Sequence, residues 1–171
     1  MNEPNGWRWL PLSVVVIVLD QITKHLIVGN FQLYERIEVL PVLDITRLHN
    51  TGAAFSMLAT ASGWQRWLFT ALALGVGVAI IVWLGKLKAR TQGLLACSLA
   101  LILGGALGNL IDRLWHGHVV DFIHVHWGDA YFPAFNVADS AITVGAGLLL
   151  LDALLEGRRG KARAGGNEAA R

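Results

Sequence analysis

The chain has 171 residues, of which 54% are hydrophobic and 15% are charged. An average soluble domain has about 45–50% apolar and about 25% charged residues, so this composition excludes a disordered chain and argues against a water-soluble globule. The single cysteine, Cys97, excludes a disulfide framework and a cysteine-based metal site. The net charge of +2 does not indicate a nucleic-acid partner, because the basic residues are distributed as in a membrane protein.

Four mostly apolar segments are long enough to cross a bilayer, which takes about 17–25 residues. They cover about residues 10–28, 67–84, 94–111 and 137–155. The alternative for the first segment is a secretory signal peptide, but no small-residue cleavage site follows it and three more apolar segments do. We therefore predict an all-α membrane protein, a four-transmembrane-helix bundle.

The basic residues predict how this bundle is oriented. Lys86, Lys88 and Arg90 lie between the second and third spans, Arg8 precedes the first, and further Arg and Lys residues follow the fourth. Because basic loops stay in the cytoplasm, both termini should be cytoplasmic and the two longer connections should lie outside. Residues 1–156 form a single membrane-embedded domain, and residues 157–171 are predicted to be a disordered, basic cytoplasmic tail.

The connections on the outer side do not read as simple linkers. Residues 29–63 contain a loosely alternating stretch with Val, Ile and Thr, and residues 119–127 read V-V-D-F-I-H-V-H-W. Such stretches are typical of short strands, so we predict a small extracytoplasmic β element. Within the spans, small residues recur at four-residue spacing, as at Gly104 and Gly108, which indicates close helix packing.

Ionisable residues at membrane depth are candidates for function. Asn109 and Arg113 end the third span, Asp139 begins the fourth, and Asp121 lies in the segment between them. Two nearby carboxyl groups cannot both ionise cheaply, so one can hold a proton while the other activates a water for attack on a carbonyl. For Asp139, capping of its helix is an equally good interpretation.

Other polar residues have simpler interpretations. Asp20 and Lys24 are four residues apart in the first span, which favours an internal ion pair. Asp112 is expected to be structural, paired with the adjacent Arg113. Arg113 itself either recognises a carbonyl or phosphate group of a substrate or contacts lipid phosphate without specificity.

Four histidines, His116, His118, His124 and His126, raise the question of a metal site. On a strand, His124 and His126 would point to the same side and Asp121 to the opposite side. Two histidines without a fixed third ligand are weak support for a metal. We therefore expect no metal and no cofactor, and we expect these histidines to be partly exposed at the interface. The sequence does not assign them a role.

Five motifs in chain order resemble the lipoprotein signal peptidase (signal peptidase II) family over about residues 12–155. They are D-Q-I-T-K at 20–24, N-T-G-A-A-F-S at 50–56, G-G-A-L-G-N-L-I-D-R at 104–113, V-V-D-F at 119–122 and F-N-V-A-D-S at 135–140. The resemblance implies an aspartic endopeptidase of the bacterial inner membrane. Such an enzyme removes the signal peptide from prolipoproteins that carry a diacylglyceryl group.

The same resemblance implies roles for individual residues. Asp121 and Asp139 would be the catalytic pair. Substrate binding and support of the pair would fall to Asn50, Asn109, Arg113 and Asn136, and architectural or supporting roles to Asp20, Lys24, Gly52, Gly104 and Asp112. Residues 29–63 would form a cradle and cover over the substrate. The partners would be a lipid-modified prolipoprotein and membrane lipids, and we expect a monomer.

Two other classes of function are weighed against a peptidase. A small proton-coupled transporter or lipid carrier would use Asp20, Lys24 and Asp139 as a relay spread through the membrane. A non-catalytic membrane scaffold would leave Asp121 and Asp139 replaceable. The placement of Asp121 and Asp139 at one level favours a catalytic pair.

Overall fold

The computed structural model describes residues 3–52 and 63–168, with residues 158–168 described by their backbone alone. A short 3₁₀ turn at Gly6–Trp9 leads into four helices and four strands. In chain order these are α1 (Leu10–Asn30), β1 (Arg36–Leu40), β2 (Leu43–Asn50), α2 (Trp64–Lys86), α3 (Gly93–Trp115), β3 (Val119–Trp127), β4 (Ala130–Tyr131) and α4 (Val137–Glu168). Residues 53–62, which contain A-A-F-S and much of the predicted cover, lie outside the described residues.

Each of the four predicted spans corresponds to one helix. Within the described part of the chain, these four helices are long and apolar enough to cross a membrane. The predicted fold class, a four-helix membrane bundle with a small β element, is therefore confirmed.

Helix α4 continues beyond the fourth predicted span, to Glu168. The residues that follow the span include Ala, Arg and Lys, which have high helix propensity. Extending an existing helix also avoids the cost of starting a new one.

Helix α3 forms the centre of the bundle and packs against α1, α2 and α4. Its apolar residues Leu99 and Leu103 are buried together with Ile80 and Leu84 of α2. Most of the remaining apolar surface of the other three helices is exposed, as expected for side chains that face lipid.

Small residues allow the backbones of these helices to approach closely. A Cβ atom built on Gly104 of α3 would lie 2.8 Å from the Val16 Cβ and 2.9 Å from the Ser13 carbonyl oxygen of α1. A Cβ atom on Gly145 of α4 would lie 2.7 Å from the Ile102 side chain and 2.8 Å from the Ser98 carbonyl oxygen of α3. Neither position has room for a methyl group, so these glycines set the distance between the helices.

The sheet lies at one end of the bundle, in the strand order β1-β2-β3-β4 with antiparallel neighbours. The pairing of β2 with β3 runs from Leu43 opposite Val125 to Asn50 opposite Val119. Ile45 and Ile123 of the sheet pack against a cluster that includes Ile27 of α1. The sheet is thereby fixed to the bundle where α1 and α3 end and α4 begins.

A buried network of charged groups joins several of these elements around Lys24 of α1. The Lys24 ammonium lies 2.8 Å from the Asp20 carboxylate and 3.0 Å from the Asp112 carboxylate, and it donates to the Asn109 Oδ1 at 2.9 Å. The predicted Asp20–Lys24 pair is therefore confirmed. Asp112 pairs with Lys24 and not with the adjacent Arg113 as predicted, because consecutive residues of a helix point in different directions.

The two carboxylates also bind backbone groups of other elements. Asp20 Oδ1 accepts a hydrogen bond from the Ala138 N–H at the start of α4, at 2.9 Å. Asp112 Oδ2 accepts from the Val120 N–H of β3, at 3.0 Å, and its Oδ1 accepts from the Gln21 side chain. The network thus sets the positions of α1, α3, α4 and β3 relative to one another.

The glycine contacts give a prediction with a matched control on the same helix. We expect Gly145→Ala to destabilise the protein by about 1–3 kcal/mol, because the added methyl group overpacks the α3–α4 contact. Gly147, whose built Cβ meets nothing within 4 Å, is the control. Gly147→Ala should be neutral or slightly stabilising, since alanine is the better helix former. Thermal unfolding in detergent micelles measures both, and equal midpoints would contradict this account.

The charged network gives a second prediction. We expect Lys24→Ala to destabilise the fold by about 3–5 kcal/mol, because it leaves two buried carboxylates without their cation. Lys88→Ala is the control, since Lys88 forms an exposed pair with Glu3 at 3.9 Å, and such pairs contribute below about 1 kcal/mol. The same thermal unfolding measurement applies, and a Lys24 variant as stable as the Lys88 variant would rule out the network as the organising contact.

Candidate active site

A cavity of about 750 Å³ lies at the end of the bundle that carries the sheet. Its walls come from the ends of β2 and α3, from β3, from the segment before α4 and from the first turns of α4. The polar residues on these walls include Asn50, Asn109, Arg113, Asp121 and Asp139, and the apolar ones include Leu48, Phe132, Phe135, Ile142 and Val144; Gly52 contributes backbone groups. The cavity is therefore largely apolar, with polar groups concentrated on one part of its wall.

Asp121 lies near the start of β3 and is almost completely buried. The Asn50 side chain donates a hydrogen bond to its Oδ2 at 3.0 Å, and the Asn136 side chain donates to its Oδ1 at 2.7 Å. Burial, followed by the negative charge of Asp139, raises the pKa of Asp121 to about 7, although the two amides and Lys24 favour its ionised form. Asp121 can therefore hold a proton at neutral pH.

Asp139 lies in the first turn of α4. Its Oδ1 accepts a hydrogen bond from the Asn109 side chain at 2.7 Å, and its Oδ2 accepts from the Asn136 N–H at 3.3 Å. Asn136 Oδ1 in turn accepts from the Asp139 N–H at 2.9 Å, which is a reciprocal cap of the helix. The two interpretations of Asp139 are thus compatible, because the carboxylate caps α4 and also lies on the cavity wall.

Two amide side chains connect the carboxyl groups. The Asn136 Nδ2 donates to Asp121 and also lies 3.2 Å from the Asn109 Oδ1, while the Asn109 Nδ2 donates to Asp139. Because Asn109 Oδ1 also accepts from Lys24, the buried ion network continues directly into this chain of amides. Asp121 and Asp139, 18 residues apart in sequence, are held by one connected set of hydrogen bonds.

Arg113 is held against the same wall. Its guanidinium donates to the Asn109 carbonyl at 3.3 Å and to the Gly52 carbonyl at 3.4 Å, and it lies 5.1 Å from the centre of the Phe69 ring of α2. The Gly52 N–H donates to the Asn50 Oδ1 at 3.0 Å. Both backbone groups of Gly52, the N–H and the carbonyl, therefore bind side chains of the site. The cation–π contact with Phe69 gives α2 its connection to the cavity.

The structure brings most of the sequence-predicted residues together. Asn50, Gly52, Asn109, Arg113, Asp121 and Asp139 line the cavity, and the fully buried Asn136 lies behind them. Asp20, Lys24 and Asp112 form the network beneath, and Gly104 lies at the α1–α3 contact. Sequence reasoning missed Gln21, although it belongs to the D-Q-I-T-K motif. It also missed Phe69, which no pattern distinguishes from other apolar residues of its span.

The four histidines lie in two places: His116 and His118 in the turn between α3 and β3, and His124 and His126 within β3. The ring centres of His124 and His126 lie 4.9 and 5.0 Å from the centre of the Tyr131 ring. This contact with one shared ring agrees with the prediction that the two histidines face the same side of the strand. His49 and His118 stack on each other near the cavity. Among the residues that the structure describes, no group of three His, Cys, Asp or Glu side chains is arranged to hold a metal ion.

Comparisons with known proteins identify the family of this chain. The family model described as signal peptidase (SPase) II matches residues 12–155. The lipoprotein signal peptidase of Ectopseudomonas mendocina is 58% identical over 146 residues, which are 84% of this chain and 86% of that protein. The lipoprotein signal peptidase of Pseudomonas aeruginosa is 54% identical over 159 residues, which are 92% of this chain and 94% of that protein.

A solved structure supports the same assignment at the level of the fold. A bacterial membrane enzyme determined by the in meso method superimposes with a TM-score of 0.78 at 32% sequence identity. The match covers 91% of this chain and 93% of the solved one. The family model spans all four helices and the sheet between them, so the chain belongs to the signal peptidase II family of membrane proteases.

Proposed function

We propose that this chain is a membrane aspartic endopeptidase that cleaves the signal peptide from diacylglyceryl-modified prolipoproteins, with Asp121 and Asp139 activating a water molecule. The observation that carries the proposal is the joining of these two carboxyl groups through Asn136 and Asn109 on the wall of one cavity. The family is a protease family, which removes the support for the transporter and scaffold alternatives.

The pair of acids supplies both the base and the acid that peptide hydrolysis needs. Asp121 holds the proton at rest, because burial and the charge of Asp139 raise its pKa to about 7. The Asp139 carboxylate takes a proton from water, and the water oxygen attacks the scissile carbonyl carbon while Asp121 donates its proton to the carbonyl oxygen. When the C–N bond breaks, Asp139 delivers its proton to the leaving amine, and Asp121 regains a proton from a hydroxyl of the tetrahedral intermediate.

The neighbouring residues keep this pair in position. Asn50 and Asn136 orient the Asp121 carboxyl, and Asn109 orients that of Asp139. Arg113 is placed to bind a backbone carbonyl of the substrate beside the acids, because its guanidinium lies on the cavity wall. Asp20, Lys24, Gly52, Gly104 and Asp112 act through the fold by holding these side chains and their helices.

The location of the cavity suits a substrate that remains attached to lipid. Its apolar wall includes Val144, which is 55% exposed on the surface of α4 that would face lipid. The basic residues near the opposite end of the bundle support cytoplasmic termini, with this end on the outer side of the inner membrane. The enzyme acts as a monomer without a cofactor, and its partners are the lipid-modified precursor and membrane lipids.

Removal of either carboxyl group tests the proposed chemistry. We expect Asp121→Asn and Asp139→Asn each to lower cleavage of a diacylglyceryl-modified precursor by at least about 100-fold, because each removes a proton-transfer group. Asp129→Asn, an exposed position beside β4, is the control and should cleave normally. A gel-shift assay in detergent measures cleavage, and thermal unfolding verifies that the variants are folded.

Two outcomes would contradict the proposal. The first is full turnover by a folded variant that lacks Asp121 or Asp139. The second is equal cleavage of the lipid-modified precursor and an unmodified precursor of the same sequence. That result would mean that the enzyme does not recognise the diacylglyceryl group.

The raised pKa of Asp121 gives a prediction for the pH dependence. Above pH 7 the carboxyl group loses the shared proton, so activity should fall as the pH rises through about 7. Asn50 favours the ionised form of Asp121. Its removal in Asn50→Ala should therefore raise this pKa and move the fall in activity upward by about one pH unit. Profiles of kcat/KM against pH measure the shift, and a shift to lower pH would refute the assignment of this titration to Asp121.

A further inference from the structure

The stacked rings of His49 and His118 lie where the sheet meets the cavity. Their ring centres are 3.7 Å apart and their planes are inclined by 23°. His49 is next to the last residue of β2, where it pairs with Val120, and it lines the cavity. His118 immediately precedes β3. The stacked rings therefore lie at the end of the β2–β3 pairing that is nearest the two carboxyl groups.

His118 is the anchored member of the pair. It follows Gly117, which has a φ of +79° and whose N–H donates to the Arg113 carbonyl in the last turn of α3. A left-handed glycine with such a bond is a typical end of a helix, so the His118 backbone continues directly from the rigid α3. His49, by contrast, lies at a strand end, where ladders open most easily.

Residue 50 connects this stack to the acid pair. Asn50 directly follows His49, and its side chain donates to Asp121 at 3.0 Å and accepts from the Gly52 N–H at 3.0 Å. Its backbone is held by the pairing with Val119, which directly follows His118. We propose that His49 is a positioning residue, which stacks on His118 and thereby holds the Asn50 amide against the Asp121 carboxyl group.

Burial, reinforced by nearby positive charges, keeps both rings neutral near pH 7. Burial lowers the pKa of His118 to about 4, with His49 and His116 adding to the effect and Asp112 opposing it. Burial also lowers the pKa of His49, and Arg47 and His116 act in the same direction. Arg66, beside Gly117, adds a further positive charge on this side. Two neutral rings stack without charge repulsion, so the contact persists near pH 7.

The inference rests on the proposed role of Asp121, and its test uses two substitutions at one position. We expect His49→Ala to lower kcat by about 10- to 100-fold, because Asn50 loses its fixed position. It should also move the alkaline fall in activity upward by up to about one pH unit, in the same direction as Asn50→Ala. His49→Phe, which keeps a ring on His118, should restore both properties.

A double variant with Asn50 distinguishes a positioning role of His49 from a general effect on stability. The double variant His49→Ala/Asn50→Ala should shift the profile no further than Asn50→Ala alone, because both changes remove one interaction. His124→Ala is the control, since the His124 ring contacts Tyr131 in the other half of β3 and the substitution should leave the profile unchanged. A folded His49→Ala enzyme with reduced kcat and an unmoved profile would overturn the inference, as would a His49→Phe enzyme no better than His49→Ala.

A measurement that does not depend on enzyme activity separates this inference from the proposed function. The carbonyl stretching band of protonated Asp121, assigned by its loss in Asp121→Asn, can be titrated in the resting protein by infrared spectroscopy. An upward shift of this titration in His49→Ala supports the inference, even if cleavage proves independent of Asp121 and the proposed function fails. If His49→Ala does not fold, His118→Ala and His118→Phe provide the same comparison from the other ring.

Discussion

The buried ammonium of Lys24 is the contact on which the rest of the molecule depends. Its three N–H donors are all used, by Asp20 of its own helix and by Asp112 and Asn109 of α3. The two carboxylates also hold α4 and β3 in position, because Asp20 accepts from the Ala138 N–H and Asp112 accepts from the Val120 N–H. In a bilayer no water can replace these partners, so a charged cluster of this kind fixes one arrangement of the helices.

The same cluster explains why the two acids of the site meet. Asn109 accepts from Lys24 on one side and donates to Asp139 on the other, so the fold and the site share one side chain. Asp121 reaches the cavity because β3 leaves the end of α3 through the tight turn at Gly117. The site is therefore assembled from segments that the buried network holds in place, which suits the acid–base chemistry proposed for it.

Local patterns in the sequence were sufficient for the helices and for one ion pair within them. Apolar runs located all four spans, and the i, i+4 spacing revealed the Asp20–Lys24 pair. Contacts between distant segments were not predictable in this way. The partner of Asp112, the contact of Phe69 with Arg113 and the stack of His49 on His118 depend on side chains that only the tertiary fold brings together. The extension of α4 to Glu168 was not foreseen, because composition does not show that the preceding span supplies a nucleus for further helix.

The Asn136 side chain makes two separate contacts, and this limits which substitutions are tolerated at position 136. Its side chain begins α4 by accepting from the Asp139 N–H, and it also donates to Asp121. Aspartate at this position could still start the helix but would bring a third carboxyl group to the acids, and alanine would serve neither purpose. Under the proposed function, a substitution of Asn136 would therefore disturb the acid pair and the start of α4 together.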